Sequence, residues 1–225
     1  MEGSDSVRVF ADRKDGGVLL AKKLKRLGLK RPLILAIPRG GVVVAYEVAK
    51  ELDAELDIVT PRKLRDPMDE ELALGAVMSD GSIFLNEEAI AMRIVQSSYL
   101  DEEKKRQMEE SARRMRVYRG DRPYPAAKGR IVITVDDGIA TGATMIAAAR
   151  WARGQGAAKV VIAVPVLPSD IIEALGKESD SLVYLESPAL FFGIGQFYRN
   201  FDQVEDNEVI GLLKSYWDPS RCKPA

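Results

Sequence analysis

One segment decides the fold, Ile131-Val132-Ile133-Thr134-Val135-Asp136-Asp137-Gly138-Ile139-Ala140-Thr141-Gly142-Ala143-Thr144. An apolar strand ends in two adjacent carboxylates, and a short loop rich in glycine and threonine leads to a helix that begins near Ala143. Ligands of open parallel sheets bind at the carboxyl ends of the strands, which is where this loop lies. The first turn of the next helix offers unpaired N–H groups and the positive end of a dipole. The segment therefore predicts a strand–loop–helix unit that binds a phosphate monoester.

The side chains of this segment support the same interpretation. Gly142 lets the backbone approach a phosphate, and Thr141 and Thr144 add hydroxyl donors. Asp136 and Asp137 are suited to accept hydrogen bonds from the 2′,3′-diol of a ribose. The alternative is an ordinary strand–turn–helix with threonine caps and a solvated acid pair. A Walker-type P-loop and a dinucleotide fingerprint are excluded, because the chain lacks their glycine spacing at a strand end.

Outside this segment, short apolar runs alternate with helical patterns, which is typical of a parallel sheet covered by helices on both faces. The continuous apolar character of the runs indicates strands that are buried on both sides. The predicted strands are Leu33–Ile37, Leu56–Thr60, Ile131–Val135, Val160–Val164 and Leu182–Leu185. The predicted helices are residues 16–28, Val42–Glu51, Ala143–Gln155, Ser169–Gly176 and Asn207–Tyr216. We expect one α/β domain over residues 1–225.

Two segments interrupt this alternation. Residues 61–96 contain turn signals at Asp66–Pro67 and Asp80–Gly81, and predict a loop with a hairpin and a short helix. Residues 97–119 predict a long charged helix. Its predicted buried stripe is Leu100, Met108, Ala112 and Met115. Its basic half is interpreted as a solvated helix end, with contact to an anionic ligand or nucleic acid as the alternative: Arg113, Arg114, Arg116 and Arg119.

Composition excludes several classes of chemistry. The chain has no histidine, so it has no Ser–His or Cys–His nucleophile and no imidazole zinc site. Cys222 is the only cysteine, which excludes an intrachain disulfide. The net charge of −1 makes a nucleic-acid partner an unfavourable interpretation. No apolar run reaches the length of about 20 residues that spans a bilayer, and the N-terminal residues lack a secretory pattern, so we expect a cytoplasmic protein without a membrane partner.

Residues 131–144 resemble the motif that binds 5-phosphoribosyl 1-pyrophosphate (PRPP) in type I phosphoribosyltransferases. About residues 10–213 are similar to a subgroup of that family described only as predicted phosphoribosyltransferases. That wider resemblance lies in Phe10-Ala11-Asp12-Arg13, Ile37-Pro38-Arg39-Gly40-Gly41-Val42, Arg62-Lys63, Glu71-Leu72-Ala73-Leu74-Gly75-Ala76-Val77 and Gly193-Ile194-Gly195-Gln196-Phe197-Tyr198. It implies a central, mainly parallel sheet flanked by helices, with a mobile loop at about 61–96 and a small hood at about 186–205.

The resemblance assigns Asp136 and Asp137 to the ribose hydroxyls. It assigns the 5′-phosphate to the loop and helix start that follow, Ala140, Thr141, Gly142, Ala143 and Thr144, and it includes Gly138 among the residues that bind PRPP. It also implies that pyrophosphate binds to the loop after the first strand, often through an unusual backbone conformation: Pro38, Arg39, Gly40 and Gly41. An ordinary strand–helix turn is the alternative for that loop.

Two further sets of residues are candidates by resemblance. Arg62 and Lys63 resemble the Arg-Lys pair with which adenine phosphoribosyltransferases approach pyrophosphate, although two adjacent cations are also common on a solvated surface. The hood is expected to cover the acceptor with aromatic rings, for which packing in the core is the alternative. These rings are Phe191, Phe192, Phe197 and Tyr198.

The position of Ala140 bears on the acceptor. Several 6-oxopurine enzymes have an acid there, whereas alanine is more similar to adenine and uracil enzymes. This puts hypoxanthine and guanine in doubt as acceptors. Glu70 and Glu71 are candidates for an acid that would serve instead, or are surface acids at the start of a helix.

The resemblance implies a Mg²⁺-dependent transferase of purine or pyrimidine salvage that moves the phosphoribosyl group of PRPP to a nitrogenous base or amine and releases pyrophosphate. Asp136, Asp137, Arg39, Arg62 and Lys63 are the candidate catalytic residues, and no direct protein ligand of the metal is assigned. Two alternatives remain open. One is a regulatory protein that binds PRPP or a nucleotide without turnover, and the other is phosphorolysis or hydrolysis of nucleoside monophosphates. A homodimer is the expected assembly.

Overall fold

The computed structural model describes residues 7–69, 73–91 and 97–218. Its helices are α1 (Arg13–Lys25), α2 (Gly40–Leu52), α3 (Glu87–Ala91), α4 (Ser97–Arg119), α5 (Ala143–Gly154), α6 (Ile172–Lys177) and α7 (Asp206–Trp217). Its strands are β1 (Leu33–Ala36), β2 (Glu55–Ile58), β3 (Arg62–Arg65), β4 (Ala73–Val77), β5 (Ile83–Leu85), β6 (Ile131–Val135), β7 (Lys159–Val166) and β8 (Ser181–Glu186). The predictions made for Glu70, Glu71 and Cys222 fall outside the described residues.

The central sheet has five strands in the order β2-β1-β6-β7-β8, and all neighbouring strands are parallel. Each of the five strands predicted from apolar runs is found here, close to its predicted bounds. All four residues of β1 are fully buried, as expected for a strand that is covered on both faces. The α/β class with a mainly parallel sheet flanked by helices is therefore confirmed.

Alternate residues along each strand face opposite helical layers. Ile34 lies in a buried cluster with Leu20 of α1 and Leu213 of α7, whereas Leu35 lies in a second cluster with Met145 of α5. Because β1 and β6 are adjacent and parallel, the loops that follow them emerge side by side at one edge of the sheet. This pairing positions the candidate site.

Residues 61–96 contain more regular structure than we predicted. The hairpin and the short helix are present, as β4–β5 with a turn at Asp80–Gly81 and as α3. Where a loop was expected, β3 pairs antiparallel with β4, so the segment includes a three-stranded sheet of order β3-β4-β5. Strand β3 has the polar sequence Arg-Lys-Leu-Arg, in which Leu64 is the one buried side chain. It therefore lacks the apolar run from which the other strands were predicted. The mobility of this segment remains a prediction.

Helix α4 has the bounds predicted for it, but its buried face is polar. Met108 and Met115 are only partly buried against apolar clusters. The most deeply buried side chains include Glu103, Gln107 and Ser111, and Ser111 Oγ lies 2.8 Å from Thr60 Oγ1. The helix therefore docks through hydrogen bonds as well as through apolar contacts. No helix among the described residues is long and apolar enough to cross a membrane.

The basic half of α4 is not uniformly solvated, which corrects the interpretation of Arg119. Its guanidinium donates to both carboxylate oxygens of Asp57 on β2, at 2.6 and 2.8 Å. Arg113 and Arg114 pair with Glu110 on their own helix, which is ordinary surface pairing. The alternative of an anion-binding surface is therefore unfavourable for Arg119, because its charge is already neutralised.

Candidate functional site

The loop after β6 leads into an uncapped helix start. Gly142 is the N-cap of α5 and has φ 83°, a left-handed conformation that favours glycine. Among the described residues no side chain caps the helix, so the first-turn amides at Ala143 and Thr144 lack a side-chain acceptor and suit an anion. Ala140 and Thr141 are exposed, and Thr144 is half-buried. The helix start is thus formed by the residues that the sequence analysis named, and phosphate binding at this place stays a prediction.

The acid pair lies immediately before this candidate phosphate cradle, residues 140–144. The Asp137 amide donates to Asp136 Oδ1 at 2.8 Å, and Arg13 Nε donates to Asp137 Oδ2 at 2.6 Å. Burial raises the pKa of Asp136 well above its usual range, and the charge of Asp137 raises it further. A hydrogen bond between the two side chains also favours the protonated form of Asp136. The pair therefore offers unequal carboxyl groups, one paired with a cation and one inclined to keep its proton.

The glycine loop, residues 38–41, packs directly on this acid pair. A Cβ atom on Gly40 would overlap Asp137 Oδ2, and one on Gly41 would lie 2.8 Å from Asp136 Oδ1. Only glycine therefore fits at these two positions while the carboxylates remain in place. The peptide bond between Pro38 and Arg39 is cis, an unusual backbone conformation of the kind that the resemblance implied for this loop. The predicted pyrophosphate loop and the predicted ribose-binding acids are thus in contact.

The side chain of Arg39 is directed to the helices that flank the loop. One of its terminal nitrogens lies 3.6 Å from Asp206 Oδ1, at the start of α7, and the side chain is 31% exposed. Asp206 also accepts a hydrogen bond of 2.7 Å from the Tyr118 hydroxyl, which, with Arg39, lowers the pKa of Asp206. Burial and the bond to Asp206 raise the pKa of Tyr118 to about 12. Arg39 is thus held loosely and remains partly accessible.

Arg62 and Lys63 do not act as a pair, because neighbouring residues of a strand face opposite sides. Arg62 Nε donates to Gln107 Oε1 of α4 at 3.0 Å, and burial together with the charge of Arg114 lowers the pKa of Arg62. Lys63 is paired across the sheet with Ala76, which lies on the face that packs against α5. Within the described ranges, Lys63 has no hydrogen bond or ion pair. Lys63 therefore lies on the face of the three-stranded sheet that packs against α5.

The four aromatic residues predicted for the hood, residues 186–205, separate into two groups. Phe197 and Tyr198 are buried with Phe10 in a small core cluster, so they are core side chains and not a platform for a planar acceptor. Phe192 is 89% exposed, and Phe191 is half-buried and stacks on Phe197 at a ring distance of 5.4 Å. Contact with the acceptor therefore remains a prediction for Phe191 and Phe192 only.

Arg13 is a site residue to which the sequence analysis gave no role. It belongs to the quoted segment Phe10-Ala11-Asp12-Arg13, but the helix was predicted to begin at residue 16. The start of the helix could have been predicted from Asp12. Its side chain accepts a hydrogen bond of 2.8 Å from the Asp15 amide and caps α1. Recognising that cap would have placed Arg13 in the first turn of the helix.

Comparisons with known proteins agree with this geometry. Residues 13–185 match the family model of the phosphoribosyl transferase domain. Two provisionally named phosphoribosyl transferases of Mycobacterium tuberculosis, from strains CDC 1551 / Oshkosh and H37Rv, are each 45% identical over 207 residues, which cover 92% of this chain and 47% of theirs. The chain thus spans about half the length of these curated relatives.

Among solved structures, the crystal structure of TT1426 from Thermus thermophilus is similar to this chain. The two are 43% identical with a TM-score of 0.80, over 92% of this chain and 99% of that one. The family that residues 131–144 predicted is therefore confirmed, and the chain belongs to the phosphoribosyl transferase domain family.

Proposed function

We propose that this chain transfers the 5-phosphoribosyl group of PRPP to a nitrogenous base or amine and releases pyrophosphate. The observation that carries the proposal is the placement of three parts at the carboxyl ends of β1 and β6, of which the glycine loop and the acid pair are in contact. These are the uncapped first turn of α5, the acid pair, and the glycine loop that packs on the acids. Each part has the chemistry of one part of PRPP: the 5′-phosphate, the ribose diol and the pyrophosphate.

In this proposal the residues bind and orient the substrate without forming a covalent intermediate. The amides at Ala143 and Thr144 hold the 5′-phosphate, and Asp136 and Asp137 hold the ribose hydroxyls. The bond between C1 and the pyrophosphate oxygen then breaks, and a nitrogen lone pair of the acceptor forms the new bond to C1. The acceptor releases its proton to solvent, a step that accords with a chain without histidine.

The departing pyrophosphate carries most of the developing charge, so cations near the glycine loop stabilise the transition state. Lys63 and Arg39 are the candidates, because Lys63 has no partner among the described residues and Arg39 is held by one distant carboxylate. Arg62 is bound to Gln107 and supports the position of β3 against α4. We therefore assign Arg62 a supporting role and keep Lys63 and Arg39 for charge stabilisation.

Mg²⁺ is the metal that the family resemblance implies, and the oxygen atoms of this site fit it. Mg²⁺ prefers oxygen ligands, keeps several waters and commonly binds one or two carboxylates together with substrate phosphates. Asp136 and Asp137 are the residues that would hold it when the substrate is bound. When bound, the ion neutralises part of the charge on the leaving group. The cytoplasm, a salvage role and a homodimer remain parts of the proposal.

A non-catalytic binder of PRPP or a nucleotide is the second candidate. The internal contact of Arg62 favours it, since a cation that only supports the fold does not stabilise a leaving group. Phosphorolysis or hydrolysis of nucleoside monophosphates would use the same cradle. A screen of nucleobases and small amines with PRPP and Mg²⁺, detecting released pyrophosphate, separates these functions. No release with any acceptor, with PRPP binding intact, would establish the binder.

Once an acceptor is found, Lys63→Ala and Arg39→Ala are expected to lower kcat/KM for PRPP by about 10²–10³. Affinity for ribose 5-phosphate is expected to change little, because that ligand has no pyrophosphate. Lys159→Ala is the matched control, because Lys159 is the first residue of β7 and lies at the amino ends of the strands, away from the site. Equal losses for PRPP and ribose 5-phosphate would mean that these cations only attract anions.

A further inference from the structure

Arg13 connects three parts of the molecule through one largely buried guanidinium. Its Nε donates to Asp137 Oδ2 at 2.6 Å, and one terminal nitrogen donates to the carbonyl oxygen of Asp202 at 2.7 Å. Its Cζ lies 3.8 Å from the centre of the Phe201 ring. The Arg13 and Asp137 side chains are each 11% exposed. A charge-assisted contact at this depth fixes the carboxylate more firmly than an exposed pair would.

The hood reaches the same aspartate by a second route. The Tyr198 hydroxyl donates to the carbonyl oxygen of Asp137 at 2.5 Å, and the Tyr198 ring stacks on Phe201 at 5.1 Å. The backbone of Phe10, three residues before Arg13, exchanges hydrogen bonds with Phe197 and Arg199. Asp137 is thus held at its carboxylate by Arg13 and at its backbone by the hood.

The ion pair lies directly beneath the glycine loop. A Cβ on Gly40 would overlap Asp137 Oδ2 and would lie 2.7 Å from Arg13 Nε. Arg13 therefore neutralises one of two adjacent carboxylates at the place where the family binds a polyanion.

We propose that Arg13 is a positioning residue of the diol site, which orients Asp137 for the ribose hydroxyls and joins the hood to that carboxylate. This inference rests on the proposed function, since it assumes that Asp137 receives a ribose. Ligand binding at Asp137 then orders the hood residues 197–202, because the same guanidinium contacts both.

Binding of two probes, ribose 5-phosphate and inorganic phosphate, tests this role by calorimetry. Arg13→Ala is expected to weaken ribose 5-phosphate binding by about 10- to 100-fold, the effect of one charge-assisted hydrogen bond. Phosphate binding is expected to change by less than about twofold, because phosphate uses only the first turn of α5. Arg13→Lys restores the charge without the planar stack on Phe201, and is expected to recover part of the loss.

Amide hydrogen exchange provides a second measurement, in which ligand binding would have no effect on the hood if Arg13 only stabilised the fold. In the natural chain, ribose 5-phosphate is expected to slow exchange of the amides at residues 197–202, and phosphate is not. Phe201→Leu keeps the ion pair and tests the coupling if Arg13→Ala does not fold: it is expected to lose this protection while retaining most of the affinity.

Two results would overturn the role of Arg13 and leave the proposed function in place. One is an unchanged preference of Arg13→Ala for ribose 5-phosphate over phosphate, and the other is an equal loss of affinity for both ligands. Ligand-dependent protection of residues 197–202 that survives in both variants would overturn the coupling to the hood. A natural chain that binds ribose 5-phosphate no better than phosphate would overturn the proposed function, and this inference with it.

Discussion

The Asp136 carboxyl group is buried beside a second carboxyl group, and both features raise its pKa well above the ordinary 3.8. An acid whose pKa is raised on folding binds its proton more tightly in the folded state. The free energy of unfolding therefore falls as the pH rises from 3.8 towards the pKa of the folded state. At neutral pH the acid pair lowers stability, which is a common property of binding sites.

Asp136→Asn is therefore expected to raise the melting temperature at neutral pH and to flatten its dependence on pH between about 4 and 7. Asparagine keeps an oxygen for the Asp137 amide and removes the charge. Each kcal/mol gained raises Tm by about 2–4 °C in a chain of this size. Thermal unfolding at several pH values measures the effect, and Asp121→Asn in an exposed turn is the control. A variant less stable than the natural chain at pH 7 would contradict the assignment.

At the scale of elements, α4 is anchored to the central sheet by the ion pair between Arg119 and Asp57, whose side chains are 7% and 2% exposed. The Arg119 guanidinium also lies 4.4 Å from the centre of the Tyr124 ring, and the Tyr124 hydroxyl donates to the Ile58 carbonyl oxygen at 2.6 Å. Burial and the charge of Asp57 raise the pKa of Tyr124 well above its usual range. The end of α4 is thus fixed to β2 by polar contacts.

Arg119→Met is expected to lower the free energy of unfolding by about 3–5 kcal/mol, because it removes the cation that pairs with the buried Asp57 side chain. Adding Asp57→Leu to this variant should recover most of the loss, since the pair is then apolar. Urea denaturation measures both effects. Arg116→Met, on an exposed position of the same helix, should stay within about 0.5 kcal/mol. A similar loss in both single variants would argue against the ion pair as the anchor.

The elements differ in how far the sequence predicted them. The strands of the central sheet are continuous apolar runs, so the local pattern was sufficient to predict them. Strand β3 and the buried face of α4 are polar, and their burial depends on partners elsewhere, such as Gln107 for Arg62. Arg13 and Asp137 are 124 positions apart, and no local pattern predicts their contact. The features that the sequence did not predict are therefore polar contacts between residues that lie far apart in the chain.

For the molecule as a whole, inorganic phosphate is expected to stabilise the folded chain by binding at α5. At 100 times its dissociation constant, a ligand of the folded state adds about 2.7 kcal/mol, or about 5–10 °C in Tm. Thr141→Glu should abolish most of this shift by placing a carboxylate beside the first turn of α5, whereas Thr141→Gln should keep more of it. Melting curves in phosphate and in chloride of equal ionic strength provide the measurement. An equal shift in both variants would place the bound anion elsewhere.

The contact between Arg13 and Asp202 spans 189 positions of the chain, and it has a consequence for biosynthesis. At about 5–20 residues per second, roughly 10–40 s separate the translation of these two residues. The last strand of the central sheet ends at Glu186, before Tyr198, Phe201 and Asp202 have been added. A ribosome-bound nascent chain can therefore complete its sheet, its cradle and its acid pair while Asp137 still lacks the contacts of the hood. The Asp137 carboxylate thus reaches its final position only after the sheet around it has formed.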